Sequence, residues 1–308
     1  MSGAVVAIGN FDGVHRGHRA VLAQARRLAG PSAHKVVALT FDPHPTRVLG
    51  RTPPPQLSTL ERRVELLLAH GADEVVVEPF TTELAAFTPE RFARELLSAR
   101  LHARAVVVGE GFRFGAKRAG DFSRLEALGA ELGFVACAAE VAGDDDGPFS
   151  STRVRQAVAR GDVVEAARVL GRLHELSGTV VHGDHLGRTL GFPTANLDGV
   201  VEALPLHGVY AVVAAGPQGE RWTGVLNVGV RPTVDGAKLR VEAHLFDVDV
   251  DLYGARVRVG LVAHLRPERR FGGLDALKAQ IAQDAQDARQ ALAASPSSVA
   301  AFGANKIE

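Results

Sequence analysis

Between residues 4 and 138, short apolar runs alternate with stretches of helical periodicity, and this restricts the fold more than any other feature of the chain. Residues 4–8, 36–41, 74–77, 106–108 and 134–138 read as strands; residues 19–29, 60–70, a segment after Thr88-Pro89, and 123–132 read as helices. Strand–helix order of this kind joins parallel strands, so a doubly wound α/β sheet is expected. Boundary chemistry agrees: Ser58 and Glu61 form a capping-box pattern, Gly71 ends a helix, and Pro89 occupies a first helical position.

From about residue 176 the texture changes to period-two alternation with glycine-marked turns, which predicts antiparallel β structure, a small barrel or sandwich. In residues 239–246, Leu239, Val241, Ala243 and Leu245 point one way and Arg240, Glu242, His244 and Phe246 the other. Residues 255–265 alternate likewise. Leu274, Leu277, Ile281, Ala285, Ala288 and Leu292 recur at helical spacing, so 273–294 is expected to lay an apolar stripe against the barrel as core. Residues 153–170 read as a connecting helical region closed by Gly171. Two domains are expected, 1–172 and 173–295, followed by a mobile tail at 296–308 that begins with Pro296.

Thirty-five basic and 35 acidic residues balance, and no aromatic–basic interleaving is present, so nucleic acid and anionic membrane are not expected partners. A single cysteine, Cys137, excludes a disulfide framework. With no basic leader and no run of 18 apolar residues, a soluble cytoplasmic protein is expected. Oligomeric state is left open.

Ligands of such sheets bind beyond the carboxyl ends of the strands, where three polar loops lie. The first carries Gly9, Asn10, Phe11, Asp12, Gly13, His15, Gly17 and His18 between a strand and a helix. Its glycines let the backbone approach a ligand, the helix start offers free N–H groups, and two imidazoles sit three residues apart on one face, which suits a phosphate. In a chain with 12 His and 33 Gly, His-x-Gly-His is expected by chance about 0.05 times. The bland alternative is a turn with two surface histidines. The other loops are Phe41-Asp42-Pro43-His44-Pro45 and 109–115, which begins at Gly109. Neither glycine loop fits a dinucleotide or P-loop pattern. Ser151, Thr152, Arg153 and Arg155 mark a helix start that reads either as a cap or as a phosphate clamp.

Gly-Asn-Phe-Asp-Gly-Val-His-x-Gly-His, Phe-Asp-Pro-His-Pro, Gly-x-x-Phe-Arg-Phe-Gly and Ser-Ser-Thr-Arg-Val-Arg, in this order over residues 4–170, resemble the FMN adenylyltransferase module of bacterial bifunctional FAD synthetases. The resemblance implies that His15 and His18 contact the ATP phosphates and stabilise charge during adenylyl transfer, with Ser151, Thr152 and Arg155 adding phosphate contacts. Members of that family commonly carry Asn or Asp where this chain has Gly111. Adenylyl transfer needs no protein nucleophile, in keeping with the absence of a serine or cysteine triad.

In the second half, the loop at 181–196 is the densest in polar groups, with Gly183, Gly187, Gly191, Pro193, Thr194 and Asn196. Thr194 and Asn196 are oxygen donors of the kind magnesium accepts; the alternative is a turn held by its own side chains. Glu242 on the polar face of a strand would ordinarily face solvent. Pro-Thr-Ala-Asn, Gly208-Val209-Tyr210, Asn227 to Thr233, Val241-Glu242-Ala243-His244 and Leu265 to Phe271 together resemble the riboflavin kinase module over about 174–295. That likeness implies a Greek-key barrel, Glu242 as general base on the ribityl 5′-hydroxyl, Thr194 and Asn196 holding ATP-bound Mg2+, and Asn227 and Arg266 in the ATP/flavin site. The expectation is a bifunctional enzyme taking riboflavin to FMN and FMN to FAD with ATP. A kinase whose second activity is weakened at Gly111, and a flavin-binding module without turnover, stand as alternatives.

Overall fold

The computed structural model describes residues 3–31, 34–183, 187, 191–233, 236–248 and 250–302, the side chains of 231–238 excepted. The chain divides into two compact units, residues 1–54 with 59–150, and residues 55–58 with 151–308.

In the first unit, β1 (Ala4–Ile8), β2 (Val36–Asp42), β3 (Glu74–Pro79), β4 (Ala103–Val108) and β5 (Val135–Ala138) form a parallel sheet in the order β3-β2-β1-β4-β5. The helices are α1 (Arg16–Ala29), the short α2 (Pro45–Val48), α3 (Leu60–Ala69), α4 (Thr82–Ala85), α5 (Pro89–Arg91) running on into a π-helix (Phe92–Arg100), and α6 (Phe122–Leu132). One face of the sheet packs Leu22 and Ala25 of α1 and Leu66 and Leu67 of α3; the other packs Leu96 and Leu97 of the π-helix and Leu125 and Leu128 of α6. The expected doubly wound sheet is therefore present, with its switch in strand order between β1 and β4. Thr88 caps α5 ahead of Pro89 as expected. The start of α3 differs: Thr59, not Ser58, is the N-cap and accepts from Arg62 N at 3.2 Å, so the residue three positions on is Arg62 and no capping box closes. A two-stranded hairpin, β6 (Gly143–Asp144) with β7 (Gly147–Pro148), ends the unit.

The second unit opens with α7 (Ser151–Ala159) and α8 (Val163–Leu170), the latter closed by Gly171 in the left-handed conformation at φ 68°. Strands β8 (His174–Val181), β9 (Ala195–Asp198), β10 (Gly208–Ala215), β11 (Arg221–Thr233), β12 (Gly236–Leu245) and β13 (Arg256–Pro267) close into an antiparallel barrel ordered β10-β11-β12-β9-β8-β13. Val163 of α8 is buried in the barrel core with Leu176, Tyr210 and Leu261. The helix pair thus groups with the barrel, and the compact units part at 150/151 rather than at 172. The Tyr210 phenol donates to Leu206 O, and burial pushes it up to about 12. Leu176 is fully buried inside the barrel. Leu176→Ala is expected to cost about 2–5 kcal/mol, read as a lower urea midpoint for the barrel's unfolding.

Helix α9 (Leu274–Ala293) lies on the barrel through Ala285, Ala288 and Leu292, but Leu274 is 58% exposed and is no part of the core. The expected mobile tail instead begins with α10 (Pro296–Ala301), because Pro296 starts a helix as readily as it ends one. Phe302 is then buried at 5% exposure against Gly260, where any Cβ would stand 2.5 Å from its ring. Residues 303–308 lie outside the described residues.

Candidate active sites

The first site grows from the centre of the sheet. After β1 the backbone turns through Phe11 (φ 49°), Gly13 (φ 80°) and Val14 (φ 39°), an unusual run of left-handed residues anchored by burial of the Phe11 and Val14 side chains. Thr40 donates to Asn10 O at 3.0 Å, tying the loop to β2. His15, 5% exposed, caps α1 by accepting from His18 N through Nδ1 at 3.3 Å. The two imidazoles stack with centroids 3.6 Å apart, and Phe11 meets His18 edge-on at 5.2 Å. Gly17 is required by sterics: a Cβ there would lie 2.5 Å from Phe149 O. Asp12 is buried in the same turn.

The first turn of α1 carries no acid, while Arg16 and Arg19 stand there, against the helix dipole. Burial first and Arg16 second pull the Arg19 guanidinium below its ordinary value, yet an arginine remains charged at neutral pH. Cations gathered at a helix N-terminus suit an anionic ligand.

Gly9 and Asn10 also line a cleft of about 970 Å³ that the sequence did not reveal as a pocket. Its walls include Phe41, Phe80, Phe112 and Phe114, with Arg113 and Lys117 at hand. Phe112 and Phe114 stack at 5.6 Å. The three loops marked by glycine and proline supply Gly9, Asn10, Phe41, Phe112, Arg113 and Phe114, and Phe80 follows β3, so the signal was position beyond the strand ends. His44 caps α2 by accepting from Thr46 N and lies 3.5 Å from the Asn10 amide. Gly109 follows β4, and a Cβ added there would meet Val21 at an ordinary 3.9 Å. Gly111 adopts φ 67° with open space around it, a conformation that Asn and Asp tolerate best among other residues, so the departure from the family pattern keeps the local backbone.

Ser151, Thr152 and Arg155 belong to α7 of the second unit. Arg155 Nε donates to Pro55 O at 2.7 Å. Arg153 is paired with Glu165 at 2.7 Å, which takes one arm from the arginine clamp expected there.

The second site gathers in the barrel. A cavity of about 310 Å³ is lined by Gly187, Thr194, Asn196, Asn227, Glu242 and Arg266, six of the residues singled out from the sequence. Register explains the convergence. Glu242 on β12 is directly opposite Asn227 on β11 and Asn196 on β9, so three polar side chains occupy one rung. Thr194, just ahead of β9, lines the same cavity. The polar face of β12 is therefore a cavity wall, not solvent-facing, while Val241, Ala243 and Leu245 fill the barrel core.

Leu277, Ile281 and Asp284 of α9 close the opposite side. The apolar stripe of this helix is thus core in its C-terminal half and cavity wall in its N-terminal half. Arg266 forms a two-pronged bond to the buried Asp284, at 2.8 and 2.7 Å, and its third nitrogen donates to Pro267 O. Its charge is already matched, so it fastens α9 to β13. His244 donates to Pro193 O at 2.8 Å.

Thr194 also lines a second cleft of about 670 Å³ with Pro193, Val180, Leu252 and Tyr253. His182 packs on Tyr253 there, with centroids 3.8 Å apart and the rings tilted by 32°. Of the loop at 181–196, residues 184–186 and 188–190 lie outside the described residues. Gly191 turns with φ 88°. At Gly183 a Cβ would stand 2.3 Å from the Asn196 amide, whose tip can swing away. Gly183→Ala should therefore leave the melting temperature within about 2 °C but lower turnover at this site by about tenfold or more, through a displaced Asn196. Initial rates and thermal melts check both halves.

The described residues hold no helix long and apolar enough to cross a membrane and no cluster of three or more His, Cys, Asp or Glu able to hold a metal. A Rossmann-like sheet with an imidazole-lined helix start, followed by a barrel with a carboxylate between two amides, defines a two-module nucleotide-dependent transferase. The FAD synthetase family pattern matches residues 1–153 and the riboflavin kinase pattern residues 170–292. Over 91% of this chain and 90% of the relative, it is 42% identical to the bifunctional riboflavin kinase/FMN adenylyltransferase of Escherichia coli K12. The enzyme of that name from Pseudomonas fluorescens is 40% identical over the same shares. A crystal structure described as a macrolide-efflux protein from Streptococcus pneumoniae superposes with a TM-score of 0.84 at 29% identity, covering 94% of this chain and 95% of that one. The chain belongs to the bifunctional riboflavin kinase/FMN adenylyltransferase family.

Proposed function

We infer that the chain performs two successive transfers: the barrel phosphorylates riboflavin with ATP to FMN, and the sheet module adenylylates FMN with a second ATP to FAD. Family membership over nine-tenths of the chain supports both steps. For the kinase, the observation that carries the reading is the Asn196–Glu242–Asn227 rung in a cavity that meets a second cleft at Thr194, one compartment for each substrate. Riboflavin occupies the cavity under α9 and ATP the cleft beside Tyr253.

In this reading the ribityl 5′-oxygen attacks the γ-phosphorus, its proton passes to the Glu242 carboxylate, the bond to the β–γ bridging oxygen breaks, and ADP leaves. The Thr194 hydroxyl and Asn196 amide oxygen are hard, neutral donors lining one cavity, and glycine at 183 leaves the amide its space. They fit Mg2+ carried on nucleotide phosphates, which when bound would neutralise phosphate charge.

In the sheet module an FMN phosphate oxygen attacks the α-phosphorus and pyrophosphate leaves. His15 and His18, with Arg19 behind them, stabilise the phosphate charge at the start of α1, and the aromatic cleft receives the isoalloxazine ring. Ser151, Thr152 and Arg155 enter through their motif alone. The single cysteine suits a reducing compartment, and we place both reactions in the cytoplasm.

Incubation of the full chain with riboflavin, ATP and Mg2+, followed by separation of the flavins, should yield FMN first and then FAD. Absence of both products refutes the enzymatic reading; accumulation of FMN alone refutes the second activity and points to Gly111.

A further inference from the structure

General-base action by Glu242 requires its carboxylate to stand still against the incoming hydroxyl, and a glutamate on a strand has three rotatable bonds. Among the described residues, Arg240, Arg266 and Arg269 line the cavity. Arg266 is committed to Asp284, and Arg269 lies over the Phe271 ring at 5.1 Å. Arg240 instead reaches Glu242 itself, NH1 to Oε1 at 2.9 Å, from two residues earlier on the same face of β12. Both side chains are mostly buried, at 29% and 20% exposure.

The register neighbour of Arg240 on β11 is Gly229. The space that a side chain at 229 would fill is taken by the Glu268 carboxylate, which would lie 2.1 Å from a Cβ there. Glu242 has neutral amides across both strand pairings, Asn227 and Asn196. The strands that flank Glu242 thus set amides beside it, and its own strand supplies a guanidinium.

We propose that Arg240 is a positioning residue for the kinase: its bond to Oε1 fixes the orientation of the Glu242 carboxylate toward the ribityl hydroxyl. The assignment rests on Glu242 being the base. A charge-assisted bond from a planar donor orients the carboxylate more firmly than a neutral one, and its removal frees the side chain to turn within the cavity. The contact is to the base, not to a substrate, so turnover should fall without loss of substrate affinity.

The test compares Arg240→Met and Arg240→Lys in the full chain, using initial rates of FMN formation over riboflavin and ATP concentrations, riboflavin binding by flavin fluorescence, and FAD formation from supplied FMN. Arg240→Met is expected to lose at least about tenfold in kcat, with both KM values within about twofold, riboflavin binding kept and FAD formation unchanged. Arg240→Lys, which keeps the charge, should recover most of kcat. A raised KM for ATP at unchanged kcat would make Arg240 a nucleotide contact and overturn the proposal, as would unchanged kinetics. If Arg240→Met loses riboflavin binding, Arg240→Gln takes its place under the same criteria. A fully active Glu242→Gln enzyme would instead refute the base assignment beneath it.

Discussion

Glu242→Gln is expected to lower FMN formation from riboflavin by about 10²–10⁴-fold, the range typical of a lost general base, while FAD formation from supplied FMN stays within about twofold. Glutamine preserves the shape of the side chain on its rung between Asn227 and Asn196, so the barrel should melt where the wild type does. It can still accept a bond from Arg240 through its amide oxygen, but it cannot take a proton from the ribityl hydroxyl. Riboflavin binding should therefore survive, and the loss should fall on kcat. Chromatographic separation of flavins with each substrate in turn makes the comparison within one protein, because the unaffected module reports on folding and concentration. A Glu242→Gln enzyme that phosphorylates riboflavin at the wild-type rate removes the carboxylate from the mechanism.

The opposite pattern is expected from His18→Ala: FAD formation from FMN reduced by about 10²–10³-fold, as for loss of one donor to a developing phosphate charge, with riboflavin phosphorylation intact. His18 is the sharper probe of the pair. His15 caps α1 through Nδ1, so its truncation would add a helix-cap loss of about 1 kcal/mol to any catalytic effect. The His18 ring is stacked on His15 at 3.6 Å, and its removal leaves the turn anchored by Phe11 and Val14. Turnover of FMN by His18→Ala at the wild-type rate would remove the His18 imidazole from the mechanism.

Much of both sites was readable because their residues are close in sequence. The imidazoles sit three positions apart on a helix start that β1 and its glycines announce, so local periodicity puts them on one face, and Thr194 and Asn196 are two apart in a short motif at the start of β9 and line one cavity. Alternation along residues 239–246 likewise put Glu242 and Arg240 together. What alternation could not say is what that face meets, and burial statistics pointed to solvent. Only β9 and β11 pairing on either side of β12, with α9 across the opening, turns the polar face into a cavity wall.

The remaining differences have the same origin. Ser58 and Thr59 are both competent caps, and only the observed geometry selects the second. Helix α8 carries an apolar face, but its partner is the barrel through Val163, a contact between segments distant in sequence. Phe302 looked like part of an unpatterned tail because the recess that receives it is a glycine some forty positions earlier, on β13.

By itself the sequence determined the two architectures, the parallel order of the first and the alternating strands of the second, together with the chemical groups on each loop. These follow from backbone periodicity, capping and turn preferences, which act over a few residues. The tertiary structure alone decided that Arg266 is spent on Asp284, that Arg240 serves Glu242, and that aromatic residues from separate loops share one cleft. Those are choices among partners brought together by strand register and helix packing, and no local rule distinguishes one buried partner from another before the chain has closed.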